Sequence, residues 1–266
     1  MLAFARGSGR PLVVLHGFGV DHRIMLPLER MVGDLPWRRL YLDLPWAAGA
    51  PRSTAASALD VANEAMTGIR ELLDDEPFAL IGQSFGGMLA RHIAHELRGQ
   101  VLGLATIAGV FEADHSARRV PERTALVVEP TALERAGDVR EAFETTHVVQ
   151  TNETLDAFLT SVLPGERASD QSVMDRIAER YDLPVKPEVA HPEPYTAPSL
   201  HLFGRQDDVV GHEDGWFFRD HYPRGTYAVL DAAGHGVHLE RPALTAALLR
   251  DWLDRVDDVE RWPNVL

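Results

Sequence analysis

A serine set among glycines, Gly82-Gln83-Ser84-Phe85-Gly86, stands between a short apolar run and a helical pattern. The run is Phe78-Ala79-Leu80-Ile81. The pattern is Phe85, Leu89, Ile93 and Leu97, which recur every four residues. A strand that must turn at once into a helix brings backbone against backbone, and only small residues fit there. Gly82, Gly86 and Gly87 supply them. Such a turn lifts the Ser84 hydroxyl above the edge of a sheet. It also sets the N–H groups and partial positive charge of a helix N-terminus beneath it. A nucleophile and part of an anion site are placed together by one bend. The plainer reading is a glycine-rich turn with an ordinary serine.

Apolar runs and amphipathic stretches alternate on either side. Leu12–Leu15, Leu40–Leu42 and Val101–Ile107 read as strands. Residues 56–73 read as a helix, with Leu59, Ala62, Met66, Ile69 and Leu73 at spacings of three and four. Asp21 is placed to cap a helix running to about Val32. After 112 the alternation stops. Helical patterns cover Asp138–Val149, Asn152–Leu163 and Ser169–Tyr181, with Asp138, Asn152 and Ser169 as expected caps, and a proline-rich extended exit follows. Alternation then returns with strands at Ser199–Phe203 and Thr226–Leu230 and helices at His212–Tyr222 and Arg241–Val256. This order predicts an α/β fold: a mostly parallel central sheet flanked by helices, formed by 1–111 and 199–266, with a helical insertion over 112–198.

Composition narrows the classes of partner. The chain has 266 residues, 45% hydrophobic and 25% charged, with a formal net charge of −14. That charge opposes binding to nucleic acid or to an anionic membrane. There is no cysteine, which excludes disulfides, thiolate metal sites and a cysteine nucleophile. Met1–Gly7 holds neither a long apolar stretch nor a convincing cleavage site, so a cytoplasmic location is the expectation. Nothing in the pattern calls for a cofactor. A homodimer is compatible with it.

In a parallel sheet, ligands bind beyond the carboxyl ends of the strands. His16, Ser84, Asp207 and His235 all follow such ends. A serine hydroxyl needs a base, best a histidine held in one tautomer by a carboxylate. His235 lies in Gly234-His235-Gly236 between the last strand and last helix, and Asp207 lies in Gly204-Arg205-Gln206-Asp207-Asp208 after the preceding strand. Asp208 is the rival acid, disfavoured by its spacing from Gly204. His238 is the rival base, disfavoured because it falls at a helix start. His92 and His95, with Glu96, could be imagined as a metal site, but a packed helix face explains them better.

Four segments in this order resemble the α/β-hydrolase family of small, lid-bearing enzymes. They are His16-Gly17-Phe18-Gly19, Gly82 to Gly86, Gly204-x-x-Asp207 and Gly234-His235. The resemblance implies Ser84 as nucleophile, His235 as base and then acid, and Asp207 as the orienting carboxylate. It implies oxyanion donors in the backbone N–H groups of Phe18 and Phe85, and a lid in 112–198. His16, Gly17, Trp46, Phe143, Phe158 and His238 are expected around the pocket, His16 chiefly as a support for its loop. The implied reaction is hydrolysis of a small, apolar carboxylic ester through an acyl-enzyme. A carbon–carbon hydrolase of dienoic ketoacids would use the same three residues plus a basic group, for which Arg167, Arg176, Arg180 and Arg205 are available. A non-catalytic receptor for small molecules is the alternative of another class. The chain departs from the family after Asp43, where Leu44-Pro45-Trp46 brings in a bulky indole, and in its short leading segment.

Overall fold

The computed structural model describes residues 1–258. Seven strands form one sheet in the order β1-β3-β2-β4-β5-β6-β7. They are β1 (Leu2–Arg6), β2 (Arg10–Leu15), β3 (Trp37–Leu42), β4 (Phe78–Gln83), β5 (Val101–Ile107), β6 (Ser199–Gly204) and β7 (Gly225–Leu230). Only β1 is antiparallel; it covers β3 at one edge, so a leading strand survives in short form. The five interior strands are buried along almost their whole length, as strands sandwiched between two helical layers must be. Leu15 pairs with both Leu42 and Gly82, which brings the segments after β2, β3 and β4 to one rim.

Helices α1 (Ala58–Leu73), α2 (Phe85–Glu96) and α3 (Pro242–Asp257) cover the sheet. Ser57 caps α1 by accepting from the Asp60 N–H, and the apolar repeat read in the sequence, with Ala62, Met66, Ile69 and Leu73, is the buried face. The Trp252 indole of α3 donates to the Pro198 carbonyl at 3.0 Å, just where the chain re-enters the sheet.

The helix expected from Asp21 to Val32 is two pieces instead. Asp21 caps a single 3-10 turn, His22–Met25, and a short helix, Leu28–Val32, follows Pro27. Proline carries no N–H and cannot continue the ladder. The helix expected over His212–Tyr222 is likewise reduced to Glu213–Trp216 and a 3-10 turn at Arg219–His221.

Between β5 and β6 the chain forms short helices, as the patterns predicted, but also a two-residue parallel pair, Val127–Val128 with Val149–Gln150. The caps fall one residue from those expected. Thr151 forms a reciprocal capping box with Thr154, and Asp170 accepts from the N–H groups of Ser172 and Val173. The Asn152–Leu163 pattern starts as a helix to Ala157 and then widens into a π-turn, Phe158–Val162. Pro164, at the start of the next helix, removes one N–H and forces that rearrangement. A buried ion pair ties this segment to α2: Arg91 donates to both Glu188 oxygens at 2.7 and 2.6 Å, and the Tyr222 hydroxyl donates to the same carboxylate at 2.5 Å.

Candidate active site

The turn after β4 explains the glycine spacing. A Cβ on Gly82 would lie 2.1 Å from the Gly86 carbonyl oxygen, and one on Gly86 would lie 2.4 Å from the His16 carbonyl oxygen. Ser84 itself has φ 53° and ψ −119°, a conformation that a residue with a side chain adopts only when its surroundings impose it. The Ser84 N–H donates to the Ile107 carbonyl at 3.0 Å, and the Val110 N–H donates to the Ser84 carbonyl at 3.1 Å, which pins the turn to the neighbouring strand.

Three side chains meet at the rim. The His235 Nε2 lies 2.9 Å from the Ser84 Oγ, and its Nδ1 lies 3.0 Å from the Asp207 Oδ2. Asp207 is fully buried, and its other oxygen accepts from the N–H groups of Val209 and Val210 at 2.9 and 3.0 Å. A carboxylate so held can only accept, so Nδ1 carries the imidazole proton. Nε2 is then the free base facing the serine. Asp208, the rival acid, makes no contact with the imidazole and turns toward the cavity. His238, the rival base, is fully buried and donates from Nε2 to the Ile24 carbonyl at 3.0 Å.

Phe85 is the first residue of α2, so its N–H has no partner within the helix. Phe18 lies on the facing loop, its ring 5.4 Å from that of Phe85 and 4.7 Å from the Trp46 indole. His16 braces this loop. Its Nδ1 donates to the Gly17 carbonyl at 2.8 Å while Nε2 accepts from the Leu44 N–H at 2.9 Å. Burial lowers its pKa to about 4, which keeps it in the neutral form that bracing requires.

A cavity of about 150 Å³ opens beside the serine. The sheet side contributes Gly17, Phe18, Gln83 and Ser84, the segment between β5 and β6 contributes Thr145, Thr146, His147, Val162 and Glu166, and the later loops contribute Asp208, Val209, His235 and Gly236. Hollows elsewhere on the molecule are larger, about 390 and 490 Å³, but hold no comparable serine–histidine pair.

Several expected pocket residues lie behind the wall. Gly17 lines the cavity, but His16, Trp46, Phe143, Phe158 and His238 do not. The Trp46 indole is fully buried and donates to the Val20 carbonyl at 2.8 Å, so it supports the Phe18 loop from beneath. Phe143 and Phe158 pack on each other and on His147, which takes the place in front of them. Arg167, Arg176, Arg180 and Arg205 are also absent from the lining. Arg176 and Arg180 instead donate to the carbonyls of Ala55 and Ala56. His95 is buried on α2, where its Nδ1 donates to the Arg91 carbonyl and its Nε2 faces His221 at 2.8 Å.

One residue of consequence was not anticipated. Glu240 accepts from the Gly234 N–H at 2.6 Å with one oxygen, and from the N–H groups of Val148 and Val149 at 2.6 and 2.8 Å with the other. Burial pushes its carboxyl above the ordinary range, and the three donors pull it partway back. It joins the His235 loop to the insertion. An acidic residue five places after a candidate base is a visible signal, but its targets are distant in sequence and nothing local points to them.

A thioesterase-domain pattern matches residues 30–220, a span that includes Ser84 and Asp207 and ends before His235. The chain belongs to the thioesterase-domain family. It is 26% identical over 263 residues to a pimeloyl-[acyl-carrier protein] methyl ester esterase of Shewanella woodyi, covering 94% of this chain and 96% of that one. Among solved structures it is similar to an alpha/beta superfamily hydrolase from Oenococcus oeni, with a TM-score of 0.89, 25% identity and 96% of each chain covered. A thermophilic esterase from Thermogutta terrifontis matches in fold at a TM-score of 0.71 and 20% identity, over 97% of this chain and 94% of that one. The α/β-hydrolase resemblance read from four motifs is thus borne out, and this thioesterase-domain protein sits among hydrolases that act on esters. Among the described residues, no helix is long and apolar enough to cross a membrane.

Proposed function

We propose that this thioesterase-domain protein hydrolyses a small carboxylic ester through an acyl-enzyme on Ser84. The observation that carries the reading is the continuous chain from Ser84 Oγ through His235 to Asp207, at 2.9 and 3.0 Å, opening onto a cavity. His235 Nε2 takes the serine proton as Oγ attacks the carbonyl carbon. Charge gathers on the carbonyl oxygen, and the Phe18 and Phe85 N–H groups receive it. Each such donor is worth about 10²–10³ in turnover. The Nε2 proton then passes to the departing alkoxide, leaving the acyl group on Ser84. Water, deprotonated by the same nitrogen, releases the acid and restores the serine. Asp207 stabilises the imidazolium formed in both halves.

The segment 112–198 serves as the lid of this site, since it supplies one wall of the cavity and narrows access for bulk water. A carbon–carbon hydrolase acting on a ketoacid needs a cation for the substrate carboxylate, and no arginine or lysine lines the cavity. A thioester is the second reading, favoured by the family match over 30–220, and it uses the same steps with a thiolate as leaving group. Fluorophosphonate labelling with peptide mapping tests the proposal. Label on Ser84, with turnover of short p-nitrophenyl esters, is the expected result. Label elsewhere, or saturable ester binding without product, would refute it.

A further inference from the structure

The loop that carries Phe18 is gripped twice. Trp46 and His16 support it from the sheet, and residues 164–181 of the insertion run along it as well. The Pro164 carbonyl accepts from Arg23 Nη2 at 3.1 Å. A Cβ on Gly165 would stand 2.7 Å from the Asp21 backbone nitrogen, and one on Gly19 would stand 3.1 Å from the Met174 Cε. Glycine at these two places lets loop and insertion close on each other. The 164–181 limb is itself fastened down. The Asp170 N–H donates to the Trp46 carbonyl at 2.8 Å, and the Arg180 carbonyl accepts from the Ala58 N–H at 2.9 Å. Arg176 and Arg180 donate to the carbonyls of Ala55 and Ala56 at 2.9 and 3.1 Å.

Tyr181 stands at the end of this limb, next to the Arg180 anchor. Its ring lies 5.4 Å from that of Phe18, edge-on, and 4.9 Å from that of Phe85, and those two rings lie 5.4 Å from each other. These are separations that aromatic pairs favour. The three rings close a triangle, and two of its corners are the residues whose N–H groups are proposed to receive the carbonyl charge. Phe85 takes its orientation from α2. Phe18 belongs to no helix or strand, and its N–H donates to no protein group among the described residues. Its direction therefore depends on what packs around it, and the Tyr181 ring touches both corners at once.

We propose that Tyr181 is a positioning residue for the oxyanion site, its ring setting the Phe18 N–H relative to the Phe85 N–H. The inference rests on the ester-hydrolase reading and adds a residue of the insertion to its machinery. Fixed donors stabilise charge because they are in place before the charge appears. A pair that has lost its spacing binds the planar ester about as before and the tetrahedral anion worse, so the loss falls on kcat and not on KM.

Tyr181→Ala, Tyr181→Leu and Tyr181→Phe in the full chain test it, with p-nitrophenyl butyrate as substrate and phenylboronic acid as inhibitor. The boron takes the Ser84 Oγ while the serine proton passes to His235, giving a tetrahedral anion. Tyr181→Ala should lower kcat by about 10- to 100-fold and weaken boronic acid inhibition by a similar factor, with KM within about threefold of the parent. Tyr181→Phe keeps the ring and should stay within about threefold in all three values. Tyr181→Leu keeps much of the bulk but no flat face. It should lower kcat and boronic acid affinity by about fivefold or more, and it decides the matter if Tyr181→Ala does not fold. The proposal is overturned if kcat and boronic acid affinity are unchanged in the Ala and Leu variants. A fall in kcat with boronic acid affinity intact, a loss carried by KM alone, or a Tyr181→Phe variant as impaired as Tyr181→Ala overturns it equally. Failure of the underlying reading looks different: the parent hydrolyses no ester and Ser84 takes no fluorophosphonate, and the positioning role falls with it.

Discussion

In the proposed mechanism Ser84, His235 and Asp207 have different tasks, and their surroundings differ accordingly. Asp207 is sealed and held by two backbone N–H groups, whereas the His235 side chain is 22% exposed, open enough to meet substrate. Ser84→Ala removes the proposed nucleophile while adding no volume. Ester turnover should fall at least about 10³-fold with the thermal midpoint nearly unchanged, measured by p-nitrophenyl release and calorimetry. Asp207→Asn should slow turnover by about 10²–10⁴-fold, because an amide no longer fixes the proton on Nδ1. Asp208→Asn should cost far less on a neutral ester; the reverse ranking would move the orienting acid by one position. These residues were legible in the sequence because local chemistry betrays them: a serine between obligatory glycines, and a histidine and an aspartate just past strand ends. His147, Thr145 and Thr146 carry no such signature. They reach the cavity only because the segment folds back over the sheet. Trp46 was misplaced at the rim because nothing local reveals that its N–H finds the Val20 carbonyl inside.

At the scale of elements, two joints matter. The first is the bend between β4 and α2. Gly82→Ala would set a methyl group 2.1 Å from the Gly86 carbonyl oxygen, a backbone atom that cannot yield without opening the turn. Overpacking of this sort costs about 1–3 kcal/mol or more. Both the thermal midpoint and kcat should drop, since the serine sits on the same bend. The second joint is Glu240. In Glu240→Gln one acceptor oxygen becomes an NH₂ facing backbone donors. The His235 loop or the Val148–Val149 segment must then lose its anchor. kcat should fall with the fold retained, and the pH–rate profile should move because the imidazole is held less firmly. A profile and kcat identical to the parent would reduce Glu240 to packing. The partners of Glu240 are too distant in the chain for its position to reveal them, and the break at Pro27 in the Asp21–Val32 stretch was hidden by an apolar spacing that looked continuous where the backbone could not be.

Across the whole molecule, buried ionisable groups set the conditions under which it stays folded. Burial lowers the pKa of His16, His147 and His238 to about 4 and that of His201 to about 3. Each is neutral when folded and titrates near 6.5 when unfolded, so the unfolded chain binds more protons between those values. Stability is therefore full above about pH 6.5 and is lost as pH falls toward 4. Calorimetry from pH 8 to 4 should show a midpoint that is flat at first and then declines steeply; a flat midpoint down to about pH 4.5 would contradict this. The Arg91–Glu188 pair binds α2 to the Pro187–Ala190 turn from within the core. Glu188→Ala strands the guanidinium and should cost about 3–5 kcal/mol by denaturant unfolding. The overall α/β order was readable because short apolar runs alternate with stretches of helical spacing along the chain. The insertion was readable only as helical, because which of its faces turns inward depends on partners far away.

Glu240 has a last consequence. The same carboxylate that steadies the loop of His235 also grips the segment at Val148 and Val149. Any outward swing of that segment to admit a bulky guest would slacken the tether on the imidazole. Were that segment to move for a guest, entry and reactivity would be interlocked, because one carboxylate holds both sides.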